Sequence, residues 1–93
     1  MKIIWTKKAV KENQNNIDYL IENWEKKVLI NYISAVERVI GYLKTNPSLG
    51  QYNELINCHK ILIVKQVYMF YDIINGDLYI LSFWNNHKKP FWL

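Results

Sequence analysis

Residues 60–84 read KILIVKQVYMFYDIINGDLYILSFW, the most apolar and most β-branched part of the chain. Two apolar runs flank Asn75-Gly76-Asp77. Asn-Gly between such runs is the strongest short-range signal for an antiparallel hairpin. The stretch therefore predicts strands over Val67–Ile74 and Leu78–Trp84, preceded by a third over Lys60–Val64. Everything upstream has a helical pattern, and a short basic tail follows.

Working outward, Gln51–Asn57 carries a weak signal and is expected to be a connector. Before it stands Thr45-Asn46-Pro47-Ser48-Leu49-Gly50, a stop signal in which Asn46 is biased to extended backbone by the following proline. Leu29, Tyr32, Ile33, Val36, Ile40 and Leu43 recur at helical spacing, with Glu37 and Arg38 on the opposite side. Val10, Ile17, Leu20, Ile21 and Trp24 make a second such stripe. Neither Gly nor Pro separates the two runs. One helix over residues 7–44 would measure about 57 Å at ~1.5 Å per residue, too long for a domain whose radius of gyration should be roughly 12–13 Å. The run must fold back near Asn23–Lys27 into a helical hairpin with its apolar stripes on the sheet. At the start, Lys2–Trp5 reads as a strand that ends at Thr6, an N-cap residue. Lys7, Lys8 and Lys11 then sit in the first turns of a helix, against its macrodipole, as a solvated face or as a patch for acidic groups.

The predicted fold class is α+β in the order β-α-α-β-β-β, a small antiparallel sheet with a helical hairpin on one face. At 93 residues the chain forms a single domain over 1–93. The hydrophobic fraction is 51% and the aromatic fraction 15%, enough for a core and more aromatic surface than so small a core hides, which points to an interface. The single cysteine, Cys58, excludes an internal disulfide and has no partners at zinc spacing. Neither a metal nor a cofactor is expected, and the setting expected is a reducing cytoplasm. No run approaches a signal peptide or the ~18 apolar residues of a membrane span. The net charge of +4 suits an acidic partner or nucleic acid without requiring either.

In this order the residues resemble the RelE/ParE superfamily of bacterial toxins from type II toxin–antitoxin systems. The resemblance spans nearly the whole chain: Ile4-Trp5-Thr6 with Ala9 behind, Ile17 and Tyr19, Asn46-Pro47-Ser48-Leu49-Gly50, Tyr68-Met69-Phe70-Tyr71, then Tyr79-Ile80-Leu81-Ser82-Phe83-Trp84 and a polar run to Pro90. It implies a sheet covered by a helical hairpin, roles in growth inhibition and plasmid stabilisation, and a cognate antitoxin with an acidic, partly helical segment. It also implies one of two targets. RelE-like members cleave messenger RNA on the ribosome, whereas ParE-like members poison DNA gyrase and have no known nuclease chemistry. The assembly left open is a homodimer or a toxin–antitoxin hetero-oligomer.

Cleaving RNA through a 2′-hydroxyl needs a base, an acid and cations for the phosphate. The resemblance places such groups on the sheet and in the tail. The catalytic candidates on the RelE-like branch are Lys60, Lys65 and His87, and Tyr71, Lys88 and Lys89 are candidate binding residues. Many relatives carry arginine where Lys60 and His87 stand. Here the single arginine is Arg38, on the second helix, and lysine lacks the planar fork suited to phosphate oxygens. That absence favours the ParE-like branch, on which the chain is not an enzyme; a third reading is a toxin fold that has lost its activity and survives as a binding module. His59 and Cys58, adjacent on a strand, point to opposite faces and cannot form a nucleophile pair. By the same alternation, Tyr68 and Tyr71 face opposite sides. Phe91-Trp92-Leu93 is an unusually apolar terminus, either folded back on the domain or covered by a partner or a second copy.

Overall fold

A computed structural model describes residues 1–85. His87, Lys88, Lys89 and Phe91-Trp92-Leu93 lie outside the described residues. The elements run β1 (Ile3–Trp5), α1 (Lys7–Asn23), α2 (Lys26–Thr45), β2 (Gln51–Asn53), β3 (Cys58–Val64), β4 (Val67–Ile74) and β5 (Asp77–Asn85).

The decisive hairpin forms as its residues require. Asn75 and Gly76 both take positive φ, 52° and 82°, the combination a two-residue type I′ turn needs, and Ile74 pairs directly with Asp77. The four strands β2 to β5 form an antiparallel meander. β1 adds to the outer side of β5 in parallel, giving the order β1-β5-β4-β3-β2. The architecture is the expected α+β one, with two refinements. The connector contributes the short edge strand β2, and the sheet is mixed because the first strand returns beside the last with a helical hairpin between them.

Two bulges set which residues face the helices. On β3, Ile63 is the extra residue between the Leu62–Tyr68 and Val64–Val67 pairs. On β5, Leu81 is the extra residue between Phe70–Ser82 and Tyr71–Ile80. A bulge shifts the alternation by one, so Leu78 and Ile80 face the helices before it and Phe83 after it. The Thr6 hydroxyl ties this bulge to the start of α1. It donates to the carbonyls of Ile80 (2.8 Å) and Leu81 (3.2 Å) and accepts from the Ala9 amide at 3.2 Å.

The helices break at Trp24-Glu25, inside the predicted fold-back. The longest dimension of the molecule is 39 Å, well short of a continuous rod. α2 buries Tyr32, Ala35, Val36, Val39 and Leu43 against Ile63, Val67, Met69, Tyr71, Leu78 and Ile80. α1 buries only Ala9 completely, with Ile17 and Leu20 packed at the margin. The predicted α1 stripe is therefore too wide, because Val10, Ile21 and Trp24 are all more than half exposed. Asn13 and Asn16 take inward places instead. The buried Tyr32 hydroxyl donates to Asn13 Oδ1 at 2.7 Å and accepts from Asn16 Nδ2 at 3.2 Å. Polar residues at those positions are stable only because this hydroxyl completes them.

Candidate functional site

Lys60 stands on the sheet face turned away from the helices, opposite Phe70. Its ammonium lies 4.8 Å from the centroid of the Tyr68 ring, within the range of a cation–π contact. Of the two alternating tyrosines, Tyr68 is thus the one on the outer face. Tyr71, expected as a binding residue, is fully enclosed. Its hydroxyl donates to the Pro47 carbonyl and accepts from the Gly50 amide, both at 2.8 Å. Burial pushes its pKa up, against the opposing pull of the Gly50 hydrogen bond. No surface of Tyr71 is left for a partner, and its work is to anchor the loop after α2.

Lys65 lies in the two-residue turn between β3 and β4 and is exposed. It stands five positions along the chain from Lys60, roughly 16 Å on an extended strand. The two lysines named together as catalytic candidates therefore occupy different regions. His59 is on the helix-facing side, stacked on Tyr71 with ring centroids 5.0 Å apart and edge-on to Tyr52 at 5.3 Å. Its Nδ1 is buried without a hydrogen-bond partner. Cys58 is on the opposite side, its pKa raised by burial and then by the charge of Asp72. The alternation argument against a Cys58–His59 pair thus matches their placement. Among the described residues, no cluster of three His, Cys, Asp or Glu side chains is placed to hold a metal ion. No helix among them is long and apolar enough to cross a membrane.

Two concave regions lie beside β5 and the hairpin. The first, about 250 Å³, is walled by Tyr19, Leu20, Trp24 and Val28 at the turn end of the hairpin and by Val64 and Lys65 at the β3–β4 turn. The second, about 290 Å³, follows the outer edge of β5 beyond the end of β1, between Glu12 and Asn15 on α1 and Phe83 and Trp84 on the strand. Glu12 reaches across this second region. One carboxylate oxygen accepts from the Ser82 hydroxyl at 2.8 Å and from the Phe83 amide at 3.3 Å, so the strand edge left by β1 is capped by a side chain.

Sequence reasoning missed the first groove. It assigned Trp24 to the core-facing stripe, yet Trp24 is 51% exposed and Tyr19 is 41% exposed. The available signal was that Trp24 falls in the turn expected between the helices, where a bulky aromatic has no packing reason to lie.

No family model matches this chain, and no curated protein does. Solved structures do. A chain of the chromosomal ParDE toxin–antitoxin system from P. aeruginosa superposes with a TM-score of 0.75 at 14% identity, covering 91% of this chain and 95% of that one. A YoeB/ParE toxin from Agrobacterium tumefaciens gives 0.64 at 12% identity, with 91% and 98% covered. A YoeB dimer from Staphylococcus aureus gives 0.61 at 14% identity, with 95% and 98% covered. At these identities the likeness is one of fold. The coverage is nearly complete in both directions, so the match takes in most of each chain. The chain shares its fold with these ParE and YoeB toxin structures.

Proposed function

We propose that this protein is the toxin of a type II toxin–antitoxin pair, neutralised by a cognate antitoxin and acting ParE-like, by binding DNA gyrase rather than by cutting RNA. The observation that carries the reading is the fold match to the ParDE chain over almost the full length of both proteins. The choice of branch rests on the sheet. Its described outer face offers Lys60 over Tyr68, while Arg38 is on the exposed side of α2. Ammonium groups lack the planar, bidentate fork for a phosphate in the transition state. Induction of the chain alone is expected to arrest growth with gyrase inhibition, and co-expression with the neighbouring reading frame is expected to relieve it. Normal growth on induction, with no protein from that frame co-purifying, would remove the reading.

A second reading, a RelE-like ribosome-dependent messenger RNA endoribonuclease, is favoured by the placement of Lys60 on an aromatic ring that a base could share. Primer extension after induction separates the two. Codon-phased cuts that disappear in Lys60→Ala would select the nuclease, and uncut messages during growth arrest would select the gyrase-directed toxin.

A further inference from the structure

We propose that residues 86–93 fold back from the end of β5 as a strap over the outer face of the sheet, seating Phe91 and Trp92 on Phe70 and carrying Leu93 toward Cys58. The inference does not depend on the toxin reading. It starts from burial on a face that neither helix covers. Phe70 falls between Met69 and Tyr71, which face the helices, so its ring points to the other side of β4. Its cross-strand neighbours are Lys60 and Ser82. Side chains at those places shield the flanks of a ring and leave its outward surface to water. Yet Phe70 is 2% exposed. Cys58, two residues before Lys60 on β3 and on the same face, is 6% exposed. Trp84, opposite Tyr68, is half-buried, and its indole nitrogen is enclosed.

Both helices pack on the Met69 and Tyr71 side, so among the described residues no helix lies over Phe70. The burial is present in one chain, so no second copy or other macromolecule supplies it. What remains is the chain beyond Asn85. Asn85 pairs with Val67 at the end of β5, three residues past the Ser82 that faces Phe70, which is about 10 Å along a strand. A covering layer sits about 10 Å above a sheet, which puts the seat roughly 14 Å from Asn85. The six residues from Asn85 to Phe91 span up to about 20 Å. Asn86 favours a reversal and His87-Lys88-Lys89 an exposed return, while Phe91-Trp92-Leu93 supplies apolar cover. On that path the strap crosses Tyr68, so it has to lift before a base reaches that ring.

The single cysteine, Cys58, reports on the cover. Its reaction with Ellman's reagent is to be followed in the full chain and in a chain shortened to end at Pro90. Removing Phe91, Trp92 and Leu93 is expected to speed the reaction at least ~10-fold with a cooperative thermal transition kept, because a buried thiol reacts only when its cover opens. In the full chain, nuclear Overhauser contacts are expected between the Phe70 ring and the ring of Phe91 or Trp92. These contacts decide the matter alone if the shortened chain does not fold. An unchanged thiol rate in a folded shortened chain, or the absence of those contacts in the full chain, would overturn the strap. A thiol rate in the full chain that rises on dilution, as sedimentation shows a dimer parting, would assign the cover to a second copy and overturn it as well.

Discussion

Tyr71 and Gly50 are held together by a 2.8 Å hydrogen bond from the Gly50 amide to the Tyr71 hydroxyl, and only a glycine fits there. A Cβ at position 50 would lie 2.6 Å from that hydroxyl and 2.7 Å from the ring. The same hydroxyl donates to the Pro47 carbonyl, so one side chain of β4 fixes the loop between α2 and β2. Tyr71→Phe is expected to cost about 1–3 kcal/mol, because it strands a buried amide. Gly50→Ala is expected to cost a comparable ~1–3 kcal/mol through forced displacement of an enclosed ring. Urea denaturation of the two variants checks both. The double variant should cost less than the sum, since removing the hydroxyl relieves the closest contact.

Thr6 joins the first helix to the β5 bulge through one hydroxyl. Thr6→Ala is expected to lower stability by about 1–2 kcal/mol, the upper range for loss of a helix cap. Thr6→Ser keeps the hydroxyl and should recover most of that. Thermal unfolding followed by circular dichroism distinguishes them, at roughly 4–8 °C per kcal/mol for a domain of this size.

Glu12 caps the edge of β5 where β1 ends. Glu12→Ala is expected to speed hydrogen exchange at the Phe83 amide well beyond any change at Leu78, whose amide bonds to the Lys2 carbonyl. The opened edge should also raise self-association, measurable by sedimentation. Equal exchange at Phe83 in the variant and the wild type would show that the carboxylate does not protect it.

Tyr32 provides a pH signature. Burial raises its pKa from 10.0 to about 12, against a smaller lowering by the Asn16 hydrogen bond. The folded state thus holds the phenol proton more tightly than the unfolded chain. The stability this contributes is fully present below pH 10 and is lost as pH rises through about 12. A difference of this size corresponds to roughly 3 kcal/mol. Alkaline unfolding is expected to fall in that window, with one tyrosine ionising late. In Tyr32→Phe, tyrosinate absorbance should lose that late step, while the raised Tyr71 still titrates above its ordinary range.

The strands from Lys60 onward and the break between the helices were legible because their causes are local. Asn75-Gly76 needs only its own backbone to turn, and an unbroken helix was excluded by length alone. Most of the α2 stripe was legible for the same reason, since Tyr32, Val36 and Leu43 repeat with the helical period and are buried, but Ile33, expected on the same stripe, is exposed. β2 was not, because a three-residue edge strand has no pattern of its own and exists through pairing with β3. Tyr71 and Tyr68 show the limit for the candidate site. Alternation established that they face opposite sides, but which side is covered depends on where the hairpin lies.

By itself, then, the sequence determined the number and order of the major elements, the type I′ turn and the absence of an arginine from the sheet. Only the tertiary structure decided that β1 runs parallel to β5, that Tyr71 is an internal anchor, and that Trp24 and Val28 meet Lys65 around one groove. The reason is physical. Backbone preference and hydrophobic period act over a few neighbouring residues, whereas these contacts join positions tens of residues apart. They form only when burial of the common core brings distant segments together.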